Sequence, residues 1–297
     1  MSIALDTQCL QCHMGRHLEN ARKLGDEATA MAFARELMQL YIQAPADAAS
    51  PWLGPATTEL YRKYYGIAGD RYAEEKHLSN RFVMERLAAI TAMVDKEPDP
   101  VYAGLQFAIL GNYLDFSALQ GQVSFEKLDA MLETFRDITV DKAVYAQLCG
   151  DLAAGKQLLI LTDNAGEIGF DRVLAEKIFE KYPHLTITFC VRGGYAHNDA
   201  TREDAQYVGI PFPVIDNGNC VGGTQLDQLS PAAEAALHSA DVILAKGMGN
   251  TETMYGCGLP VYYAFLVKCQ RFVTAFGKPL MTPLLVREQN RNKGEHT

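Results

Sequence analysis

After Gly155 the chain alternates short β-rich runs with helical patterns, and no other feature restricts its architecture as much. The runs LLIL, LTITFCV and DVILA each lead through a glycine-bearing polar segment into a helical pattern. Successive βα units build a parallel sheet through right-handed crossovers. Before about residue 150 no comparable strand pattern occurs. ENARKLGDEATAMAFARELMQLYIQA, YAEEKHLSNRFVMERLAAITAMV and FEKLDAMLETFRDI repeat apolar residues at helical intervals, and Pro45, Pro51, Gly54, Pro55 and the EPDP at 97–100 break them. The expected fold is α/β, with an all-helical N-terminal region over 1–150 packed against a Rossmann-like parallel-sheet C-terminal region over 151–297.

In an open parallel sheet, ligands bind beyond the carboxyl ends of the strands. The first expected strand ends in Asp163-Asn164-Ala165-Gly166-Glu167. The second runs into Arg192-Gly193-Gly194 and then His197-Asn198-Asp199. The third runs into Lys246-Gly247-Met248-Gly249-Asn250. Glycine permits close backbone approach, and helices starting nearby offer unpaired N–H groups to an anion. Capping competes as an explanation: Asp163 or Asn164, and Asn198 or Asp199, each have the side chain of a helix N-cap. Lys246 likewise has the bland alternative of a strand-end residue snorkelling to solvent. The first turn, however, holds three acidic or amide side chains within five residues, where one cap needs one oxygen.

Charge narrows the partners. A formal net charge of -9 and a pI near 5.3 argue against broad nucleic-acid or anionic-membrane binding, so an anionic ligand needs a local site. No apolar run approaches the ~20 residues of a membrane span, and the opening residues lack a signal-peptide pattern, so a cytoplasmic protein is expected. Oligomeric state is not legible. Seven scattered cysteines do not suggest a disulfide framework. Cys9-Leu10-Gln11-Cys12-His13 formally matches a c-type haem attachment site, but such attachment requires export. A structural zinc would want a second Cys-x-x-Cys; packed thiols beside the helix-surface histidines His13 and His17 are the simpler reading.

Electrostatics select a chemistry for converging strand ends. Asp163 and Asp199 facing a phosphate at about 4 Å, with an effective dielectric near 20, would each repel it by roughly 4 kcal/mol. A cation must intervene. Two carboxylates and an amide suit Mg²⁺ or Mn²⁺, with Lys246 supplying a compact charge to phosphate oxygens. Such a site suits phosphoryl transfer to water, with Asp163 either orienting a water or itself attacking phosphorus. The GMGNTE segment lacks the third glycine of a dinucleotide fingerprint, and there is no Walker-type lysine, so nucleotide binding is not indicated.

Taken together, CLQC at 9–12, RYAEEKHLSN at 71–80, GNYLDF at 111–116, DNAGEIGFD at 163–171, HNDAT at 197–201, KGMGNTET at 246–253 and LVKC at 266–269 resemble the damage-control phosphatase family, also called domain of unknown function eighty-nine, in its prokaryotic-type branch with an N-terminal Cys-x-x-Cys. The resemblance covers nearly the whole chain. It implies a divalent-metal-dependent phosphatase of small phosphometabolites, using Mg²⁺ or Mn²⁺ with Co²⁺ or Ni²⁺ as substitutes. It assigns Asp163, Asn164 and Asp199 as metal ligands, and Lys246 and Asn250 as phosphate contacts. Asn112 and Asp115 are expected to face the same cleft. With Arg192 they complete the candidate substrate-binding set, and Asp163, Glu167 and Lys246 are the candidate catalytic residues. Met248 stands where glutamine is usual and Arg71 where proline is common, departures that bear on substrate positioning. Two other readings compete. An S-adenosylmethionine-dependent carboxyl methyltransferase would want a glycine-rich first turn, where this chain is acidic. A non-enzymatic metal or redox protein would centre on Cys9 and Cys12.

Overall fold

The structure, a computed structural model, describes residues 3–115 and 123–288. The first half is helical: α1 (Thr7–Leu24), α2 (Glu27–Gln43), α3 (Gly54–Tyr65), α4 (Ala73–Val94), α5 (Pro100–Gly111), α6 (Phe125–Glu133) and α7 (Lys142–Ala154). Strands and helices then alternate through β1 (Gln157–Leu161), α8 (Glu167–Lys181), β2 (Thr186–Val191), α9 (Arg202–Tyr207), β3 (Val214–Asp216), α10 (Pro231–Ser239), β4 (Val242–Lys246), α11 (Gly247–Met254), β5 (Val261–Leu266), α12 (Gln270–Phe276) and β6 (Pro283–Arg287).

Local chemistry sets the boundaries. Asp6 opens α1 by accepting from the backbone N–H groups of Gln8 and Cys9, and Asp26 opens α2 by accepting from Thr29 N. Gly25 lies between them, so the periodic stretch from Glu19 to Ala44 is two helices. The stretches expected to be helical omit α3, which begins at the Gly54-Pro55 read as a break, and also α5 and α7. The reason is clearest for α5. Its residues Val101 and Ala103 to Gly111 are all buried, so it has no amphipathic stripe to read.

The sheet has the order β3-β2-β1-β4-β5-β6, parallel except for β6, which runs antiparallel to β5. The three strands expected from sequence form its centre. The strand order reverses between β1 and β4, which is where a crevice opens at the carboxyl edge of such sheets. One apolar core runs across residue 150: Phe107 of α5 stacks on Phe135 at 4.3 Å and on Phe170 of α8 at 6.3 Å. A Cβ on Gly111 would stand 2.5 Å from Phe170 Cδ2, so glycine lets α5 and α8 close on each other. Residue 150 thus marks a change of element type within a continuous core. A smaller cluster around Ala21, Phe33, Leu37 and Tyr61 joins α1, α2 and α3. Among the described residues no helix is long and apolar enough to cross a membrane.

If the helical and sheet regions share this core, Phe107→Ala should lower the unfolding free energy by ~3–5 kcal/mol in a urea titration. A loss below about 1 kcal/mol would mean that the stacked rings do not tie α5 to the sheet layer.

Candidate active site at the sheet edge

The first strand end is not occupied with capping. The residue at the N-terminus of α8 is Gly166, at φ 77°, and no side chain caps the helix. A Cβ there would press on Ser79 and Leu114 at 2.8 Å, so the turn requires glycine. Asp163 and Asn164 are therefore available for other work. The second strand end is similar: α9 is capped by Thr201, whose N–H donates to Asp204 Oδ2 at 2.8 Å, leaving Asn198 and Asp199 outside the cap.

The two loops are joined by backbone hydrogen bonds. Ala200 N donates to Asp163 O at 2.7 Å and Ala165 N to Asn198 O at 2.8 Å, forming an antiparallel bridge between Asn164 and Asp199. This bridge brings Asp163, Asn164 and Asp199 together on a cavity of about 770 Å³. Asn112 and Asn164 each donate an amide hydrogen to Asp163 Oδ2, at 2.9 and 2.8 Å. Asp199 accepts from Arg192 Nε at 2.6 Å. Burial, then the nearby Glu167 and Asp199 carboxylates, push the Asp163 carboxyl well above its usual range, with Lys268 acting in the opposite direction. Burial raises Asp199 to about 6 despite Arg192. Ionised acids held this close call for positive charge in the cavity.

Not every candidate faces that space. Asp163, Asn164, Asp199 and Asp115 border the cavity. Glu167, Asn112, Arg192, Lys246 and Asn250 lie behind it, each nearly or wholly buried. The phosphate contact expected of Lys246 does not match its position. Its ammonium donates to Glu167 Oε1 at 2.6 Å and Ala108 O at 2.7 Å and pairs with Asp171 Oδ1 at 2.9 Å, groups that lie away from the cavity. Glu167, expected to act in catalysis, is saturated by Lys246, by Asn112 and by Asn164 Nδ2 at 2.7 Å. Asn250, expected to touch phosphate, donates to Lys246 O at 2.7 Å and Thr162 O at 3.0 Å while accepting from Arg192 Nη2 at 3.2 Å. Asn112 and Arg192, expected to touch substrate, instead orient Asp163 and Asp199. The physical reason is the same throughout: a cluster of carboxylates under a cavity needs fixed donors beneath it.

One cavity residue was overlooked as a functional candidate. Lys268, two residues past β5, lines the cavity and donates to Asp115 Oδ2 at 2.6 Å and Asn112 O at 2.9 Å. The signal was present: collecting polar residues after VYYAFL, as after the other strands, would have reached it. Cys9 borders the cavity too, and burial pushes its thiol up to about 12, so it stays protonated. His13 and His17 are buried, not on the helix surface, and all seven cysteines are free thiols. Among the described residues no three His, Cys, Asp or Glu side chains are grouped to hold a metal by themselves. A cation here would rely on the two carboxylates with the Asn164 amide oxygen, and on water and substrate for the rest of its shell. Phe116, at the end of GNYLDF, lies outside the described residues.

Residues 5–282 match the family model described as the damage-control phosphatase ARMT1-like domain. An Archaeoglobus fulgidus protein named damage-control phosphatase is 31% identical over 274 residues, which span 88% of this chain and 91% of that one. An uncharacterised protein of Methanocaldococcus jannaschii is 30% identical over 282 residues, 91% and 90% of the two chains. The crystal structure of a duf89 family protein from Pyrococcus horikoshii superposes with a TM-score of 0.81 at 24% identity, covering 97% of this chain and 100% of that one, a likeness of fold.

The placement of Lys246 carries its own test. Lys246→Met leaves Glu167 and Asp171 buried without their cation, so it should destabilise the protein by ~3–5 kcal/mol in urea unfolding. An unchanged midpoint would mean that the ammonium does not hold the floor together.

Proposed function

This chain belongs to the damage-control phosphatase ARMT1-like family, and we propose that it hydrolyses small phosphometabolites, sugar phosphates or related damaged metabolites, with Mg²⁺ or Mn²⁺ held by Asp163, Asn164 and Asp199. The observation that carries this reading is the convergence of those three side chains on one cavity, with the Lys268 ammonium beside them. The donor set fits a hard cation: two carboxylates raised by burial, and an amide oxygen already turned by Asn198 Nδ2 at 3.0 Å. The Asp163 carboxylate rests against the backbone of Gly247, where a Cβ would fall 1.9 Å from its Oδ2, so the site is built closely around that acid.

Bound there, the cation would supply Lewis acidity to the phosphate and offset its repulsion by the acids. The chain supplies position. Asn112 and Asn164 hold one oxygen of Asp163 and leave the carboxylate aimed at the cavity. Arg192 fixes Asp199 in the same way. Lys268 offers its charge to phosphate oxygens, the part that sequence reasoning gave to Lys246.

The test is a panel of phosphorylated metabolites assayed after chelation and then with Mg²⁺, Mn²⁺, Co²⁺ or Ni²⁺ restored. Phosphate release should return with metal. Asp163→Asn and Asp199→Asn should each lower kcat/KM by about a hundredfold or more, as the loss of one charge-organising group does. Lys268→Met should lower it about ten- to hundredfold, the worth of one charge-assisted hydrogen bond. Turnover that is indifferent to chelation, or normal in Asp163→Asn, would sink the proposal.

A further inference from the structure

When a phosphate ester of an alcohol is cleaved, the departing oxygen is an alkoxide unless it is protonated. A positioned acid that supplies the proton contributes ~10²–10⁴-fold in rate. Several groups on the cavity are poorly suited to that task. Asp163 and Asp199 are needed ionised to hold a cation. Burial works to lower Lys268, but Asp115 and Asp163 outweigh it, so its ammonium keeps its proton. On the wall, burial pushes Cys9 up to about 12 and draws His13 down to about 3. The first is too weak an acid, and the second has no acidic proton left near neutral pH.

Glu252 differs. It belongs to α11 and lines the same cavity. Met248, four residues earlier, lines it too, so the two side chains share one face of the helix. Met248 directly follows Gly247, against whose backbone the Asp163 carboxylate rests. Glu252 therefore stands one helical turn, about 6 Å along the axis, beyond the residue next to that seat. Its Oε2 is buried with no hydrogen-bond partner among the described residues. An enclosed carboxylate oxygen that accepts nothing is costly, and a proton on the group removes the charge that makes it so. The surroundings act in the same direction. Burial pushes Glu252 up to about 8; the Ser50 N–H and Arg271 work against the rise, and Asp115 and Asp6 add to it. Arg271 is itself drawn to Asp6 at 3.4 Å and to Ala4 O at 3.0 Å. Cys9 of α1 and Cys269 at the start of α12 also face Glu252, and burial keeps both thiols protonated.

We propose that Glu252 is the general acid that protonates the leaving oxygen of a phosphomonoester seated at the Asp163–Asp199 floor. The proposal rests on the phosphatase reading above. As the bond from phosphorus to that oxygen breaks, its electron pair stays on the oxygen, which takes the Glu252 proton and departs as an alcohol. Phosphorus gains the oxygen of a water molecule. The dihydrogen phosphate so formed returns one proton to the Glu252 carboxylate and leaves as hydrogen phosphate. Until the proton moves, the neutral carboxyl adds no repulsion against the incoming dianion, as a further ionised acid would.

Two esters of similar shape, 4-nitrophenyl phosphate and 4-nitrobenzyl phosphate, differ in what leaves. The nitrophenolate is stable near neutral pH without a proton, and the benzyl alkoxide is not. In Glu252→Gln, which keeps the size and neutrality of the side chain, kcat/KM with Mn²⁺ should fall about a hundredfold or more for the benzyl ester and less than about threefold for the phenyl ester. The parent protein gives a second reading that needs no variant. Its benzyl-to-phenyl ratio of kcat/KM should fall as pH rises through about 8, because the acid is present below that value and lost above it. Attack on phosphorus is common to both esters and cancels in the ratio. A loss in Glu252→Gln no larger for the benzyl than for the phenyl ester overturns the inference and leaves the phosphatase reading intact. So does a parent ratio that stays flat from about pH 7 to about pH 9. Phosphate release from neither ester by the metal-restored parent overturns both.

Discussion

The cavity floor depends on one buried cation. Lys246 has no solvent exposure, and its ammonium lies between the carboxylates of Glu167 and Asp171. Burial works to lower its pKa, but those two acids outweigh it and raise the value, so the charge is retained. Glu167 accepts from that ammonium, and Asn112 and Asn164 each share their amide hydrogens between Glu167 and Asp163. Asp163 is thus oriented through a chain of bonds that begins at Lys246, three strands further along the chain. A buried group of this kind gives little net stability when formed, but removing its cation would leave buried carboxylates unpaired, which holds the arrangement in place.

This explains why the sequence reveals the place of the site more readily than the roles within it. The rule that ligands gather beyond the carboxyl ends of parallel strands selects Asp163, Asn164 and Asp199, and these do meet at the cavity. The same rule selects Lys246 and cannot say which way it points. Lys246 is the last residue of β4, where successive side chains alternate between faces, and only the packed sheet shows that its face is that of α5 and α8. Lys268 follows β5, a run buried at every position, which gives no alternation to distinguish a strand from a buried helix. α5 was hidden for the same reason: uniform burial erases periodicity, and with it the evidence that Asn112 sits at the end of a helix beneath the site.

Gly247 joins the two halves of this account. It has φ 77° and directly follows Lys246, and the position its Cβ would take is already filled by the Asp163 carboxylate. The Lys-Gly pair therefore does two things at once. Lysine at the strand end neutralises the layer below, and glycine lets the acid of the neighbouring strand approach the backbone. A dipeptide that reads from sequence as a phosphate-binding turn is, in space, the seat of a carboxylate.

The floor and the wall of the cavity also have different mechanical origins. The floor is made by the ends of β1 and β2, bonded to each other through the Asn164–Asp199 bridge and set in the continuous core. The wall is α1, which packs mainly into a smaller cluster with α2 and α3 and is tethered at its start by Asp6 and Ala4 to Arg271. Changes in α1 therefore alter what lies opposite the floor without disturbing the floor residues Asp163, Asn164 and Asp199. Under the proposed function, a chain of net charge -9 would need such a division. The repulsion between the acidic floor and a phosphate would be answered locally, by Lys268 and the proposed cation, while α1 would supply the opposite wall.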